Sequence, residues 1–287
     1  MKPIRTVAVF PTMFTLANLV CGFFAIVVAA RVETPRSPEP PVSQARAVRQ
    51  FDSQDENHNL MLCGWLIFLA MVFDALDGHV ARLAKASSDF GAQLDSLADC
   101  VTFGVAPGFL LVKMCHTFTF LHREQTIQPV WIIAAGFASC AALRLARFNV
   151  ETDEEDDHMH FGGLPSPAAG GAIASFAILF YSLRLEPQPF AYAAEFDRAF
   201  QTILPFYAIL LALLMVSRIP YPHVVNQALR GQRSFGHVVA LVFILIALTP
   251  IRNYVVPLAF MAFALGAPAV YGWQRVVQRR QNQEPLF

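Results

Sequence analysis

Charge is what this chain has least of. Only 15% of its 287 residues are Asp, Glu, Lys or Arg, where soluble domains carry roughly 25%. Neither sign prevails, with 21 basic and 21 acidic residues. That balance gives no ground for a nucleic-acid binder or a collector of acidic substrates. The cysteines, Cys21, Cys63, Cys100, Cys115 and Cys140, are odd in number and lie in or beside apolar runs. None stands in a CxxC or Cys/His spacing, so neither a disulfide framework nor a zinc site is indicated.

In place of charge there is hydrocarbon. Hydrophobic residues make up 55% of the chain and the mean hydropathy is +0.46, which points to lipid as the main solvent. A helix needs about 20 mostly apolar residues to cross a bilayer. About eight such windows occur, near 10–30, 60–85, 94–115, 129–148, 166–184, 200–217, 235–249 and 254–272. The expected fold is therefore all-α, a polytopic transmembrane bundle. The first window, after Lys2 and Arg5, has the outline of a secretory signal with Ala29-Ala30 as its cleavage site. It also carries Thr15 and Asn18 and is long enough to span, so it is read as a span. Connections are short and polar except 31–59, where Pro35, Pro38, Pro40 and Pro41 stand amid mixed charges; that stretch is expected to be a mobile outer loop.

Starting the first span inside puts Lys2, Arg5, Arg82, Lys85, Arg144, Arg147, Arg218, Arg230, Arg233, Arg275, Arg279 and Arg280 on the cytoplasmic side. Both termini would be cytoplasmic. Arg184 and Arg198 stay outside, interleaved with Glu186, Glu195 and Asp197.

Against this background the acids of 74–99 stand out. Asp74, Asp77, Gly78 and Ala81 follow i, i+3, i+4, i+7 on the second window; Gly91, Asp95 and Asp99 follow i, i+4, i+8 on the third. With a turn near 86–88 and a rise of 1.5 Å per residue, Asp77 lies about 14 Å and Asp74 about 18 Å above it. On the antiparallel partner Asp95 lies about 11 Å and Asp99 about 17 Å above the same turn. The four carboxylates can converge in two rungs. An acid inside a span costs roughly 2.5–3.5 kcal/mol, and four of one sign repel. Protonation, as in a proton relay, is one escape; hard cations are the other, and four oxygen donors suit Mg²⁺ or Mn²⁺. Small neighbours at Gly78, Ala81 and Gly91 leave space for a bulky ligand, and Arg82 supplies a cation for phosphate. The alternative is an ordinary soluble helical hairpin capped by Asp89. Apolar flanks on both sides count against it.

The set Asp74, Asp77, Gly78, Ala81, Arg82, Gly91, Asp95 and Asp99 resembles the signature of the CDP-alcohol phosphatidyltransferase family. Within it, a narrower likeness to the serine-using branch rests on 11–22 (from Pro11 to Gly22), 144–150 (from Arg144 to Val150), 161–169 (from Phe161 to Ala169) and, more weakly, 217–222. After Pro11, where many relatives carry Asn, stands Thr12. The resemblance implies transfer of a phosphatidyl group from CDP-diacylglycerol to the hydroxyl of L-serine, giving phosphatidylserine and CMP. Two divalent ions, Mg²⁺ or Mn²⁺, would be held by Asp74, Asp77, Asp95 and Asp99, with Asp99 also the catalytic base. Gly78, Ala81, Arg82 and Gly91 would bind the CDP portion. A homodimer in the cell membrane with a cytoplasmic active site is likewise implied.

The likeness covers about 5–222. It suggests a catalytic membrane domain over 1–222, leaving two more helices and a cytoplasmic tail in 223–287. Thr15, Asn18 and Gly22 share a face of the first span and suit either nucleotide contacts or helix packing. Arg144 and Arg147 suit phosphate, the serine carboxylate, or simple anchoring at the cytoplasmic surface. Gly104 and Gly108 read as a packing step, and His79 as no ligand. Siblings using glycerol 3-phosphate or inositol phosphate share the signature. A cation-coupled transporter is the rival from another class, although no second copy of the aspartate pattern marks an internal repeat.

Overall fold

The computed structural model describes residues 9–32, 45–84, 89–115, 129–152, 162–184, 189–221 and 252–281. Helix α1 is Val9–Ala30, α2 Ala45–Ala84 and α3 Asp89–Asp99. A π-helical segment, Cys100–Val105, joins α3 to α4, Ala106–Met114, and the three form one continuous span. Then follow α5 (Pro129–Thr152), α6 (Ser166–Leu183), α7 (Ala193–Val216) and α8 (Arg252–Gln281). No named strand occurs among the described residues. Among the described residues, seven helical stretches are long and apolar enough to cross a membrane, so the protein is a multi-pass helical bundle. They match seven of the windows read from the sequence; the window 235–249 lies outside the described residues.

One boundary differs from expectation. The stretch 31–59 was expected to be loop throughout, yet α2 begins at Ala45. After Pro41 there is neither Pro nor Gly until Gly64, and Ala, Arg, Gln and Glu are strong helix formers. Their polarity hides them from a search for apolar windows. At 40 residues α2 is about 60 Å long, far more than the roughly 30 Å hydrocarbon core. The spanning part is Glu56–Gly78, so the polar N-terminal turns extend beyond the apolar layer. The other part of that loop, 33–44, lies outside the described residues, as do 85–88 and 153–161.

The bundle is built around α6. Its opening run, Ser166-Pro-Ala-Ala-Gly-Gly-Ala, is made of small residues, and 83% of its spanning window is buried. In lipid no hydrophobic effect drives helices together, so close approach of small residues carries the packing. A side chain on Gly64 of α2 would come within 2.8 Å of the Ala174 carbonyl oxygen, and one on Gly170 within 3.0 Å of the Phe103 backbone. Gly104 and Gly108 press likewise on Ala141 and on the Ala134 carbonyl of α5, in keeping with the packing reading of that step. The outer faces are the apolar ones: Leu16, Val20, Phe23, Ile132, Leu143, Ile203 and Leu213 are all exposed, which suits a lipid surround.

Candidate active site

The ends of five spans meet at one end of this bundle. The aspartates occupy the C-terminal halves of α2 and α3, while α1 packs against both. Carboxylate oxygens of Asp74, Asp95 and Asp99 lie within 4.8 Å of one another. The fourth acid, Asp77, is buried and accepts a hydrogen bond from the Thr15 hydroxyl. Thus three of the four expected carboxylates converge, and the fourth turns toward α1. Straight antiparallel helices give two even rungs; the packing of α1 onto α2 gives Asp77 a partner that the estimate did not contain.

The polar face of α1 leans on the acids. Asn18 is fully buried; its amide donates to Asp99 Oδ1 at 3.0 Å, and its backbone oxygen accepts from Thr102 at 3.2 Å. Gly22 makes this approach feasible, since a Cβ there would lie 2.9 Å from Thr102 Cα. The π-helical segment begins one residue after Asp99. Such a widened turn often marks a functional site, and here it sets Thr102 against α1 and Phe103 against α6.

On the opposite side stands α5. Ser96 and Asn149 exchange hydrogen bonds of 3.1 and 3.0 Å, which fixes α3 to the end of α5. Arg144 donates to the Ser166 hydroxyl at 2.8 Å. It is near enough to Asp74 and Asp99 to act on both electrostatically. Its Nε is buried without a hydrogen-bond partner. Arg147, one turn on, is engaged differently: its guanidinium donates to the carbonyls of Gly162, Val216 and Ser217. The two arginines, equivalent in sequence, therefore face different neighbours.

Of the other expected contacts, Gly78 is exposed beside the acids, and a Cβ placed on it would meet nothing within 4 Å. Gly91 is half-buried at the start of the α3 stripe. Ala81 and Arg82 belong to α2, but their side chains, like that of His79, lie outside the described residues. Ser166 and Thr102 are the residues that sequence reasoning missed. A serine opening an otherwise apolar helix after Pro165 is a faint signal for the first; Thr102 offers none.

Whether this group suits a divalent cation can be tested on the donors. Asp95 Oδ1 is buried and accepts no hydrogen bond, an expensive condition for a carboxylate oxygen. Closely spaced hard oxygens of one charge match the ligand preference of Mg²⁺ and Mn²⁺. The residues fit.

The family model for CDP-alcohol phosphatidyltransferase matches residues 8–216, a stretch that includes the four aspartates, Thr15, Asn18, Arg144 and Ser166. Curated relatives agree. A protein of Helicobacter pylori is 28% identical over 221 residues, 77% of this chain and 75% of that one. One of Methanocaldococcus jannaschii is 38% identical over 162 residues, 56% of this chain and 64% of the relative. One of Bacillus subtilis is 28% identical over 225 residues, 78% and 96% of the two chains. Each of the three is named CDP-diacylglycerol–serine O-phosphatidyltransferase. With the match spanning the aspartate helices and the helices that brace them, the chain belongs to the CDP-alcohol phosphatidyltransferase family.

Proposed function

We propose that this enzyme transfers the phosphatidyl group of CDP-diacylglycerol to L-serine, releasing CMP. The observation that carries the choice of acceptor is the placement of Arg144 beside the aspartates. Arg144 faces Asp74 and Asp99 with Nε unpaired, whereas Arg147 is engaged by backbone carbonyls. A guanidinium so placed suits a carboxylate, held by paired charge-assisted hydrogen bonds. The names of the relatives support the same choice.

In this reading Asp74, Asp77, Asp95 and Asp99 hold two Mg²⁺ or Mn²⁺ ions, which when bound screen the diphosphate and stabilise charge on departing CMP. The CDP portion lies along Gly78, Ala81, Arg82 and Gly91, with Thr15 and Asn18 at its α1 side. Arg144 holds the serine carboxylate so that the serine hydroxyl points at the phosphorus bearing the lipid. Asp99 takes the hydroxyl proton as the serine oxygen attacks, and the phosphorus–oxygen bond to CMP breaks. Position supplies most of the rate gain expected from Asp99. Asn18, donating to Asp99 Oδ1, restricts the carboxylate to one orientation. The catalytic domain is assigned to 1–222, and the active site to the cytoplasmic face of the cell membrane. A homodimer completes the reading.

An acceptor panel tests it. Purified protein with CDP-diacylglycerol is given L-serine, glycerol 3-phosphate or inositol phosphate in turn. CMP release with serine at least tenfold above the others is expected, about the discrimination that one charge-assisted contact supplies. Preference for either phosphate-bearing acceptor overturns the serine assignment.

A further inference from the structure

Three stretches unused by the aspartate chemistry meet at one joint. These are the end of α5, the residues leading into α6, and the exit from α7. Gly162 forms an isolated antiparallel bridge with Pro220. The Gly163 amide donates to the Ile219 carbonyl at 2.9 Å, and the Leu164 amide to that of Leu214 at 3.0 Å. Gly163 has φ 97°, and a Cβ there would lie 2.9 Å from the Ser217 oxygen, so only glycine fits both the backbone and the space. Across this seam lies Arg147, donating to Gly162 O at 2.8 Å, Val216 O at 3.1 Å and Ser217 O at 3.3 Å. Four residues past Gly162 comes Ser166, fully buried and the acceptor for Arg144.

We propose that Arg147 is a positioning residue: it locks the α6 entry to the α7 exit, so that Ser166 aims the Arg144 guanidinium at the acceptor side of the aspartate cluster. The substrate named in the test rests on the serine reading above. A planar guanidinium can bridge carbonyls from two segments at once; a lysine ammonium, a compact charge on a flexible stem, cannot hold the same fork. Arg147 thus acts on the acceptor through Ser166 and Arg144 and leaves the CDP side untouched.

The test compares Arg147→Lys, Ser166→Ala and the double variant in detergent, with KM measured separately for each substrate. Both single variants should raise the serine KM about tenfold, the loss of one oriented charge-assisted contact. The KM for CDP-diacylglycerol should stay within about twofold. Because the two residues act in one chain, the double variant should resemble the worse single one rather than multiply their effects. A merely structural role for Arg147 would instead change both KM values together or lower the yield of active enzyme. An unaltered serine KM in Ser166→Ala overturns the proposal whatever Arg147→Lys does. So do multiplying effects in the double variant. If the wild-type enzyme uses another acceptor and not serine, the substrate reading fails, and the same variants are scored on the KM for that acceptor.

Discussion

Asp77 and Asp99 share a signature but not a neighbourhood, and their variants should separate. Asp77 is held by Thr15, and Asp99 by Asn18. Replacing Asp74, Asp77, Asp95 or Asp99 by Asn should abolish transfer while the protein still inserts, because a neutral amide is less costly in lipid than a carboxylate. Beyond that shared loss, Asp99→Asn should retain metal-dependent binding of CDP-diacylglycerol by isothermal titration, whereas Asp77→Asn should lose binding and turnover together. Equal loss of binding in both would make Asp99 chiefly a metal ligand. Arg82→Ala should weaken CDP-lipid binding by roughly 1.5–3 kcal/mol, the worth of a charge-assisted hydrogen bond. The acids were legible because carboxylates in an apolar run demand an explanation. Their partners were not. Helical spacing puts Thr15 and Asn18 on one face of α1 but does not say which helix that face meets, nor that Arg144 and Arg147 diverge.

Packing of whole helices makes a second, independent set of demands. Gly22 lets α1 reach the π-helical segment at Thr102, and a valine there should force the two apart at a cost of about 1–3 kcal/mol. Gly136 on α5 offers the contrast, since nothing lies within 4 Å of a Cβ added to it. Gly136→Ala should be neutral or stabilising by up to about 1 kcal/mol, the helix-propensity gain. Thermal unfolding in detergent compares the two, and equal effects would contradict the close approach of α1 to the third span. The spans themselves were legible from hydropathy, since length and apolar content suffice to mark them. The start of α2 was not, because a helix that leaves the membrane becomes polar and loses the signal being sought. The π-helical segment was hidden too: a single widened turn leaves no periodic trace in six residues.

The molecule as a whole has a polar end and an apolar middle, and the direction of its spans follows. Thr15 near the start of α1, Asp77 near the end of α2, Asp95 in α3, Arg144 near the end of α5 and Ser166 at the start of α6 lie at the same end. The described spans therefore alternate in direction from α1 to α7, whereas α8, whose Asn253 donates to Ser182 at the far end of α6, runs parallel to α7. The proposed cytoplasmic placement of that end follows the positive-inside rule. A thiol-reactive label on a cysteine introduced at the exposed Arg31 position should then react from outside intact cells, and one at Thr152 only after permeabilisation. Labelling of both from one side would contradict the span order around the site.

The most direct test of the central claim is CMP release from CDP-diacylglycerol by the purified, metal-stripped enzyme. Release should require both L-serine and added Mg²⁺ or Mn²⁺, with phosphatidylserine formed in equal amount. CMP release that persists without a divalent ion, or that proceeds at full rate without serine, would contradict the account.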